Sequence, residues 1–381
     1  MSLVDDMRKL EDVDISGLKV LLRVDYNVPL DSNGDIIDDF KIRKSIPTVK
    51  HILKRAKQVI IMSHLGRPKG KVQSELRLDK VAVKLMKYLG SNIAKLSDCI
   101  NIEIPDDKVV LLENLRFHEE EKANDDEFAK KLASYADFFV NDAFAVSHRA
   151  HASVVGVTKY LPSCAGFLLE KEVKNLDFSN PDRPFIVIMG GSKLSTKFHI
   201  INSLIPKVDK LLLGGAMIFS FYKSEGFEIG TSLYEADQLM AAKLLSNNDK
   251  LVLPTDVVVA KSPQDKGKTV DFKSIPKGLA GLDIGSESLK NFKKILSKSR
   301  TVFWNGPIGY YESEEFAKAT RELAIYLSEL DAKVIIGGGD SAAFVQEAGL
   351  MDKFFHVSTG GGASLELIQN GTLPGIEVLK R

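Results

Sequence analysis

One arrangement of apolar and polar positions repeats along the chain. A short continuous apolar run stops at polar residues or glycine, and a stretch with helical periodicity follows. In the first half the runs lie at 19–25, 58–68, 108–118 and 137–151. In the second half they lie at 184–193, 210–217, 250–260, 301–309, 333–342 and 354–364. Strands that are apolar throughout, rather than at alternate positions, are covered on both faces, as in parallel sheets. The intervening pattern predicts helices at Asp79 to Leu89, Asp125 to Ala136, Ser288 to Lys298 and Glu314 to Leu330. The expected fold is therefore α/β, with two doubly wound parallel-sheet domains. Near 160–184 the stretch LPSCAG closes the first half, FLLEKEVKNLDF reads as a helix and SNPDRP as a turn-rich stop. This predicts a first domain at 1–162, a hinge helix at 163–180 and a second domain at 181–366. The segment 253–282 mixes strand-like and loop-like signals, and its register does not follow from its pattern.

The strand ends differ between the halves. First-half runs end in Asp25 and Asn27, His64 and Arg67, Arg116 and His118, then His148, Arg149 and His151. Four of the seven histidines fall in these segments, a concentration that no single histidine would suggest. Second-half runs end in glycine, at 190–191, 214–215, 306, 337–339 and 360–362. Open α/β sheets bind ligands outside the carboxyl ends of their strands. The first half thus presents a basic floor suited to a small, multiply anionic substrate. The second offers close backbone approach suited to nucleotide phosphates.

The stretch 188–197, IMGGSKLSTK, condenses this second character. It reads as strand, tight turn and the start of a helix, LSTKFHIINSLI. Lys193 and Lys197 stand four apart there, and cations work against a helix dipole at its N-terminus. An anion is expected, although an ordinary β-α turn with surface lysines has the same outline. The stretch is not a Walker A motif. STGGGAS (358–364) reads as a phosphate nest. GGGD (337–340) reads as a flexible turn or a metal-phosphate turn, and EEEK (119–122) as a solvated helix start.

Bulk properties narrow the class further. With 381 residues, 44% hydrophobic and 27% charged, the chain can form two separate cores. Its net charge of +1, from 52 basic and 51 acidic residues, gives no global case for nucleic acid or a membrane, so attraction for anions must be local. Cys99 and Cys164 are too few for a disulfide framework and are expected as buried thiols. No signal peptide and no apolar run of membrane-spanning length are seen, so a soluble cytoplasmic protein is expected. A dehydrogenase reading lacks a GxGxxG after the first strand.

Taken in order, the motifs make the sequence similar to phosphoglycerate kinases along essentially its whole length. They include RVDYNVPL (23–30), SHLGRPKG (63–70), LLENLRFHEEE (111–121), NDAF and HRAH (141–144 and 148–151) and LLEKE (168–172). GLDIG (281–285), WNGPIG (304–309), GGGD (337–340), HVSTGGGASLEL (356–367) and GTLPG (371–375) follow. The resemblance implies two α/β domains on a helical hinge, with the C-terminal tail 367–381 packed back on the first domain. It implies phosphoryl transfer between 1,3-bisphosphoglycerate and Mg-ADP, giving 3-phosphoglycerate and Mg-ATP, by a monomer acting without nucleic acid or membrane. It further implies that Asp25, Tyr26, Asn27, Lys41, His64, Leu65, Gly66, Arg67, Arg116 and Arg149 form the phosphoglycerate site. Lys193 corresponds to the lysine that follows the migrating phosphoryl group, and Lys197 to one that holds nucleotide phosphate. Gly281 and Leu282 correspond to adenine-pocket lining, and Asn305, Pro307 and Glu312 to the nucleoside wall. Gly338, Gly339, Asp340 and Ser341 correspond to the phosphate and magnesium turn, with Asp340 on the metal, and Gly360 to Gly362 to a phosphate cradle. Lys41, Lys193, Gly338 and Gly361 are the positions implied to act in the transfer itself.

Three departures from the family pattern stand out. Lys41 stands where an arginine is usual, which keeps the charge but loses the planar fork. Arg43 would face the other way in an extended segment. Thr196 replaces an aspartate beside Lys197, leaving Asp340 as the main magnesium-side acid. Ala145 and Val146 replace a Gly-Thr pair near Arg149. The expectation is an active kinase with lowered turnover or altered affinity. One alternative is a weakened member that only binds nucleotide and phosphoglycerate. Another is a kinase for a different acyl phosphate, against which the intact Asp25, Asn27, His64, Arg67, Arg116 and Arg149 argue.

Overall fold

The structure, a computed structural model, describes residues 3–381. It falls into two compact units. The first runs up to Lys174 and includes Asn370–Arg381, and the second is Asn175–Gln369.

The first unit is built on six parallel strands: β1 Lys19–Arg23, β2 Gln58–Met62, β3 Ala94–Lys95, β4 Val109–Leu111, β5 Phe138–Asn141 and β6 Ser163–Ala165. Their order is β3-β4-β2-β1-β5-β6, every pairing being parallel. The chain winds outward from β1 through β2 to the edge strand β3, comes back to β4 and then crosses to β5 on the other side of β1. The winding therefore reverses between β1 and β5. Alternate residues of each strand serve opposite faces. Val20, Leu22, Val59 and Ile61 pack with Val49 and Ile52 of helix Phe40–Leu53 and with Val81 and Leu85 of helix Asp79–Leu89. Leu21, Ile60, Val110 and Phe139 pack on the other face with Phe128 and Leu132 of helix Asp126–Ala133. Each such side chain stabilises the fold by roughly 1.5–3 kcal/mol, which is why an uninterrupted apolar run commits these segments to a two-faced sheet. Both cysteines are buried free thiols, as expected. The C-terminal residues belong to this unit. Gly375 N–H donates to the Ser147 carbonyl at 2.8 Å, and Arg8 N–H donates to the Leu379 carbonyl at 2.9 Å.

The second unit has its own six-stranded parallel sheet. Its strands are β7 Phe185–Met189, β8 Lys210–Leu213, β9 Leu251–Val252, β13 Thr301–Asn305, β14 Lys333–Gly337 and β15 His356–Val357. The order is β15-β14-β13-β7-β8-β9, and the winding reverses between β7 and β13. Both sheets are thus doubly wound, as the apolar pattern predicts. Between β9 and β13 comes a separate sheet of β10 Asp256–Ala260, β11 Lys268–Asp271 and β12 Ala280–Ile284, in the order β11-β10-β12 and antiparallel. The apolar run 250–260 is therefore two strands in two sheets, broken at Pro254. The ambiguous segment that follows it supplies the antiparallel partners.

Three further expectations change. The segment 163–180 contains β6 and then a helix at Phe167–Leu176, within which the boundary between the units falls. The helix expected from Glu314 begins at Lys318 and ends at Ser328. The helix expected from Leu194 begins only at Phe198. Ser195 is held by Glu235, its N–H at 2.9 Å and its hydroxyl at 2.5 Å, which keeps 194–197 as a turn.

Candidate active site

In the first unit the predicted residues converge where the winding reverses. β1 delivers Asp25 and Asn27, β2 delivers His64 and Gly66, and the short turn Leu115–Phe117 after β4 carries Arg116. Asp25 is buried. Its Oδ2 accepts from Lys41 Nζ at 2.7 Å, and its Oδ1 accepts from Asn27 N–H at 3.0 Å. Asn27 Oδ1 accepts from Gly66 N–H at 2.8 Å, and the Gly66 carbonyl accepts from Arg116 Nη1 at 2.9 Å. These bonds tie three strand ends into one floor. Lys41 reaches it from the first turn of helix Phe40–Leu53. The Lys41–Arg43 segment is thus helical rather than extended. Arg43 lies two residues round the helix and pairs with Asp39 at 2.8 Å, so it does not substitute for an arginine at 41.

Arg67 and Arg149 are exposed, and Arg149 Nε donates to His148 Nε2 at 3.1 Å. Two predicted positions turn their side chains into the core. The Tyr26 side chain is fully buried in the core with its hydroxyl 3.0 Å from Ser45 Oγ, and Leu65 is buried beside it. Tyr26 spaces Asp25 from Asn27 along the strand end.

Sequence reasoning missed the layer beneath. Arg23 is completely buried, and so is Glu121, which had read as part of a solvated helix start. A run of three glutamates gives no sign that its third member turns inward to pair with a core arginine. The electrostatics follow from this packing. For Asp25, burial works upward, but the Lys41 ammonium at 2.7 Å prevails and holds its carboxyl well below the usual range. Burial pushes His64 well below the ordinary imidazole range; Asp25 opposes this, and Arg23, Arg116 and Lys41 add to it. His151 is pushed down to about 3 by burial and then by Arg23, Arg116 and Arg149. Arg116 comes down to about 10 through burial and the Arg23 charge, and stays protonated at neutral pH. This is a crowd of like charges held in place, an arrangement that a polyanion relieves.

In the second unit the predicted residues line two adjoining clefts at the reversal between β7 and β13. One, of about 350 Å³, is lined by Lys193, Thr196, Lys197, Asn305, Pro307, Gly338, Gly339, Asp340, Ser341 and Gly361, among others. The other, of about 470 Å³, is lined by Gly281, Leu282, Pro307, Glu312 and Asp340, with Phe219, Leu233, Tyr310 and Tyr311. These last four residues were not legible as site residues, since isolated aromatic and aliphatic positions carry no spacing signal.

The first cleft depends on close backbone approach. Gly190 N–H donates to the Asn305 carbonyl at 2.8 Å, and a Cβ on Gly190 would overlap the Pro307 carbonyl. Gly338 has φ +106° and precedes helix Gly339–Glu347, while Gly361 opens helix Gly361–Asn370 against the Gly338–Gly339 backbone. Two helix N-termini, each with unpaired N–H groups, therefore flank one space suited to phosphate. The Lys193–Lys197 stretch contributes side chains rather than a helix dipole. Lys197 precedes the helix, its Nζ donating to Asn305 Oδ1, and burial lowers its pKa while Asp340 opposes. Thr196 donates its hydroxyl to the Lys193 carbonyl at 2.9 Å. The Ser341 hydroxyl accepts from Gly306 N–H at 2.6 Å and so joins the β13 loop to the helix start.

Comparison with known proteins agrees with this geometry. The sequence profile of the family described as phosphoglycerate kinase matches residues 10–371. The phosphoglycerate kinase of Trichodesmium erythraeum is 50% identical over 388 residues, 97% of each chain. The cytosolic phosphoglycerate kinase of Triticum aestivum is 50% identical over 390 residues, again 97% of each. Among solved structures, the phosphoglycerate kinase from Coxiella burnetii superposes with a TM-score of 0.88 at 37% identity over 98% of both chains. That from Pyrococcus horikoshii does so with a TM-score of 0.84 at 29% identity, also over 98% of both. With two doubly wound units, a basic floor on one and a glycine-lined cleft on the other, the chain belongs to the phosphoglycerate kinase family.

Proposed function

We propose a division of the family's reaction between the two units. The enzyme transfers a phosphoryl group between 1,3-bisphosphoglycerate and ADP, giving 3-phosphoglycerate and ATP. The acid is bound by Asp25, Asn27, Lys41, His64, Arg67, Arg116 and Arg149 of the first unit. Asp25 acts by holding the Lys41 ammonium in place, and the arginines meet carboxylate and phosphate oxygens with charge-assisted bonds. The base lies against Gly281 and Phe219, with Glu312 at the rim, and the phosphates lie against Lys197, Gly338, Gly339 and Gly361. Lys193, exposed at the cleft, follows the moving group. Phosphoryl transfer asks for positioning and charge neutralisation rather than covalent help, and this set supplies both.

The nucleotide is handled as its magnesium complex. Magnesium takes one or two carboxylates and completes its shell with phosphate and water, which Asp340 alone on the cleft wall suits. When bound, the ion neutralises phosphate charge. Acid and nucleotide are held by different units, so closure about helix Phe167–Leu176 precedes transfer. Small-angle scattering should show compaction when both substrates are added, and an unchanged radius of gyration would count against closure. The enzyme acts as a cytoplasmic monomer on these small molecules. No helix among the described residues is long and apolar enough to cross a membrane, and one relative is named as cytosolic.

The observation that carries this reading is the convergence of separate strand ends at the reversal point of each sheet, charged in one unit and glycine-rich in the other. A coupled assay of ATP formation from 1,3-bisphosphoglycerate and Mg-ADP tests it. Lys193→Ala should lower kcat by roughly 100- to 1,000-fold, the cost of removing one preorganised electrostatic contact. A wild-type-like rate in that variant would remove Lys193 from the reaction.

A further inference from the structure

Beneath the acid site lies a buried polar layer that none of the roles above uses. Arg23, Glu121 and Ser153 are each 0% exposed. Arg23 Nε donates to Ser153 Oγ at 2.8 Å, Nη1 donates to the Val24 carbonyl, and Nη2 meets His64 Nδ1 at 3.2 Å. Ser153 in turn donates its hydroxyl to Glu121 Oε1 at 2.6 Å and its N–H to Oε2 at 2.9 Å. Glu121 Oε1 lies 3.9 Å from Arg23 Nη2 and balances its charge. The guanidinium is thus fixed from three sides before it reaches the histidine.

A guanidinium carries five N–H donors and no acceptor. A donor faces His64 Nδ1, so Nδ1 is the bare, accepting nitrogen, and the ring proton resides on Nε2. A doubly protonated ring would set N–H against N–H. The only anion near the ring among the described residues does not reverse this. Asp25 Oδ1 is 3.8 Å from Nδ1, beyond hydrogen-bond reach, and both Asp25 oxygens are already engaged by Asn27 N–H and Lys41 Nζ. The other charged groups acting on the ring, Arg23, Arg116 and Lys41, are all cations.

We propose that Arg23 is a positioning residue that fixes His64 as the neutral Nε2–H tautomer, so that His64 offers phosphoglycerate an uncharged donor rather than a cation. This rests on the reading that His64 belongs to the acid site. The positive charge that meets the substrate then comes from Lys41 and the arginines. The arginine at the end of β1 acts through the histidine and not on the acid.

The test is a long-range proton–nitrogen correlation spectrum of ¹⁵N-histidine-labelled full-length protein, with and without 3-phosphoglycerate. The His64 pattern is identified by its loss in a His64→Gln variant. The expected pattern is an unprotonated Nδ1 and a protonated Nε2, unchanged from pH 5.5 to 8. A protonated Nδ1, or a titration midpoint between pH 6 and 7, overturns the proposal. Arg23→Gln places an amide that can accept as well as donate, so both tautomers should appear. The same variant should raise KM for 3-phosphoglycerate by about tenfold with little change in kcat, as expected for one mispositioned hydrogen bond. Retention of the pure Nε2–H pattern in Arg23→Gln also overturns it, and if that variant fails to fold, the wild-type spectrum decides. His64 signals that do not move on adding 3-phosphoglycerate remove His64 from the acid site, while the tautomer pattern still judges the role of Arg23.

Discussion

At the end of β1 the protein places side-chain charge, and at the end of β7 it places bare backbone. The two sheets have the same winding and the same reversal point, so topology does not account for the difference. The ligands do. A small acid with charge at both ends is gripped by long cationic side chains that reach around it. A nucleotide's phosphates are better served by N–H groups, which need the backbone to come close and so exclude side chains at Gly190, Gly338 and Gly361. The costs differ accordingly. The first unit carries like-charge crowding, seen in the lowered values of Arg116 and His151, where burial is the larger cause and Arg23 adds to it. The second carries steric intolerance. The first should therefore respond to charge and salt, and the second to the addition of a single methyl group.

The comparison is broken most forcefully by Gly190→Ala. The added Cβ meets the Pro307 carbonyl, so the β7 and β13 loops must separate. Overpacking of this kind costs about 2 kcal/mol, which corresponds to roughly 30-fold weaker ADP binding in a fluorescence titration. Affinity for 3-phosphoglycerate should stay within about twofold, since the acid site is proposed for the first unit.

A second contrast concerns pH, and here the units should behave alike. Each buries a carboxyl near its strand ends, Asp142 after β5 and Asp283 in β12, and burial raises both to about 7. Asp142 Oδ1 accepts from Leu168 N–H at 2.8 Å at the start of helix Phe167–Leu176. Asp283 Oδ2 accepts from Ala319 N–H at 3.1 Å in helix Lys318–Ser328. A raised folded pKa means that the folded state binds the extra proton. The stabilisation is complete below the unfolded value near 4 and is lost as pH rises toward 7. Chemical denaturation at pH 5 and pH 8 should show a loss on the order of 2 kcal/mol per group, much reduced in Asp142→Asn and Asp283→Asn. A wild-type stability that rises over this range would contradict the assignment.

The smallest effect sharpens the first unit alone. Lys41→Arg restores a planar fork beside Asp25, and kcat/KM for 3-phosphoglycerate should rise about threefold, within the gain from a bidentate contact. No change would show that Lys41 already serves fully.

The same contrast explains what the sequence disclosed. The parallel strands were legible because both faces of β2 or β7 are buried and every residue is apolar or nearly so. Strands β3 and β6, of two and three residues, are too short to leave a pattern. The antiparallel sheet was hidden because β11, KTVD, is mostly exposed and forms no apolar run. The late start of the helix at Phe198 depends on the bond from Ser195 to Glu235, forty residues apart, which no local propensity can reveal. The strand-end arginines and glycines stood out because charge and glycine are rare at the ends of apolar runs. Arg23 and Glu121 did not, because each neutralises the other only in the folded core.

Calorimetric titration of 3-phosphoglycerate and of Mg-ADP into wild type, Arg116→Ala and Lys197→Ala measures the division of labour directly. Arg116→Ala should weaken 3-phosphoglycerate binding by roughly 10- to 100-fold, the loss of a charge-assisted hydrogen bond, and leave Mg-ADP unchanged. Lys197→Ala should do the reverse. Either variant weakening both ligands equally would contradict the assignment of acid to one unit and nucleotide to the other.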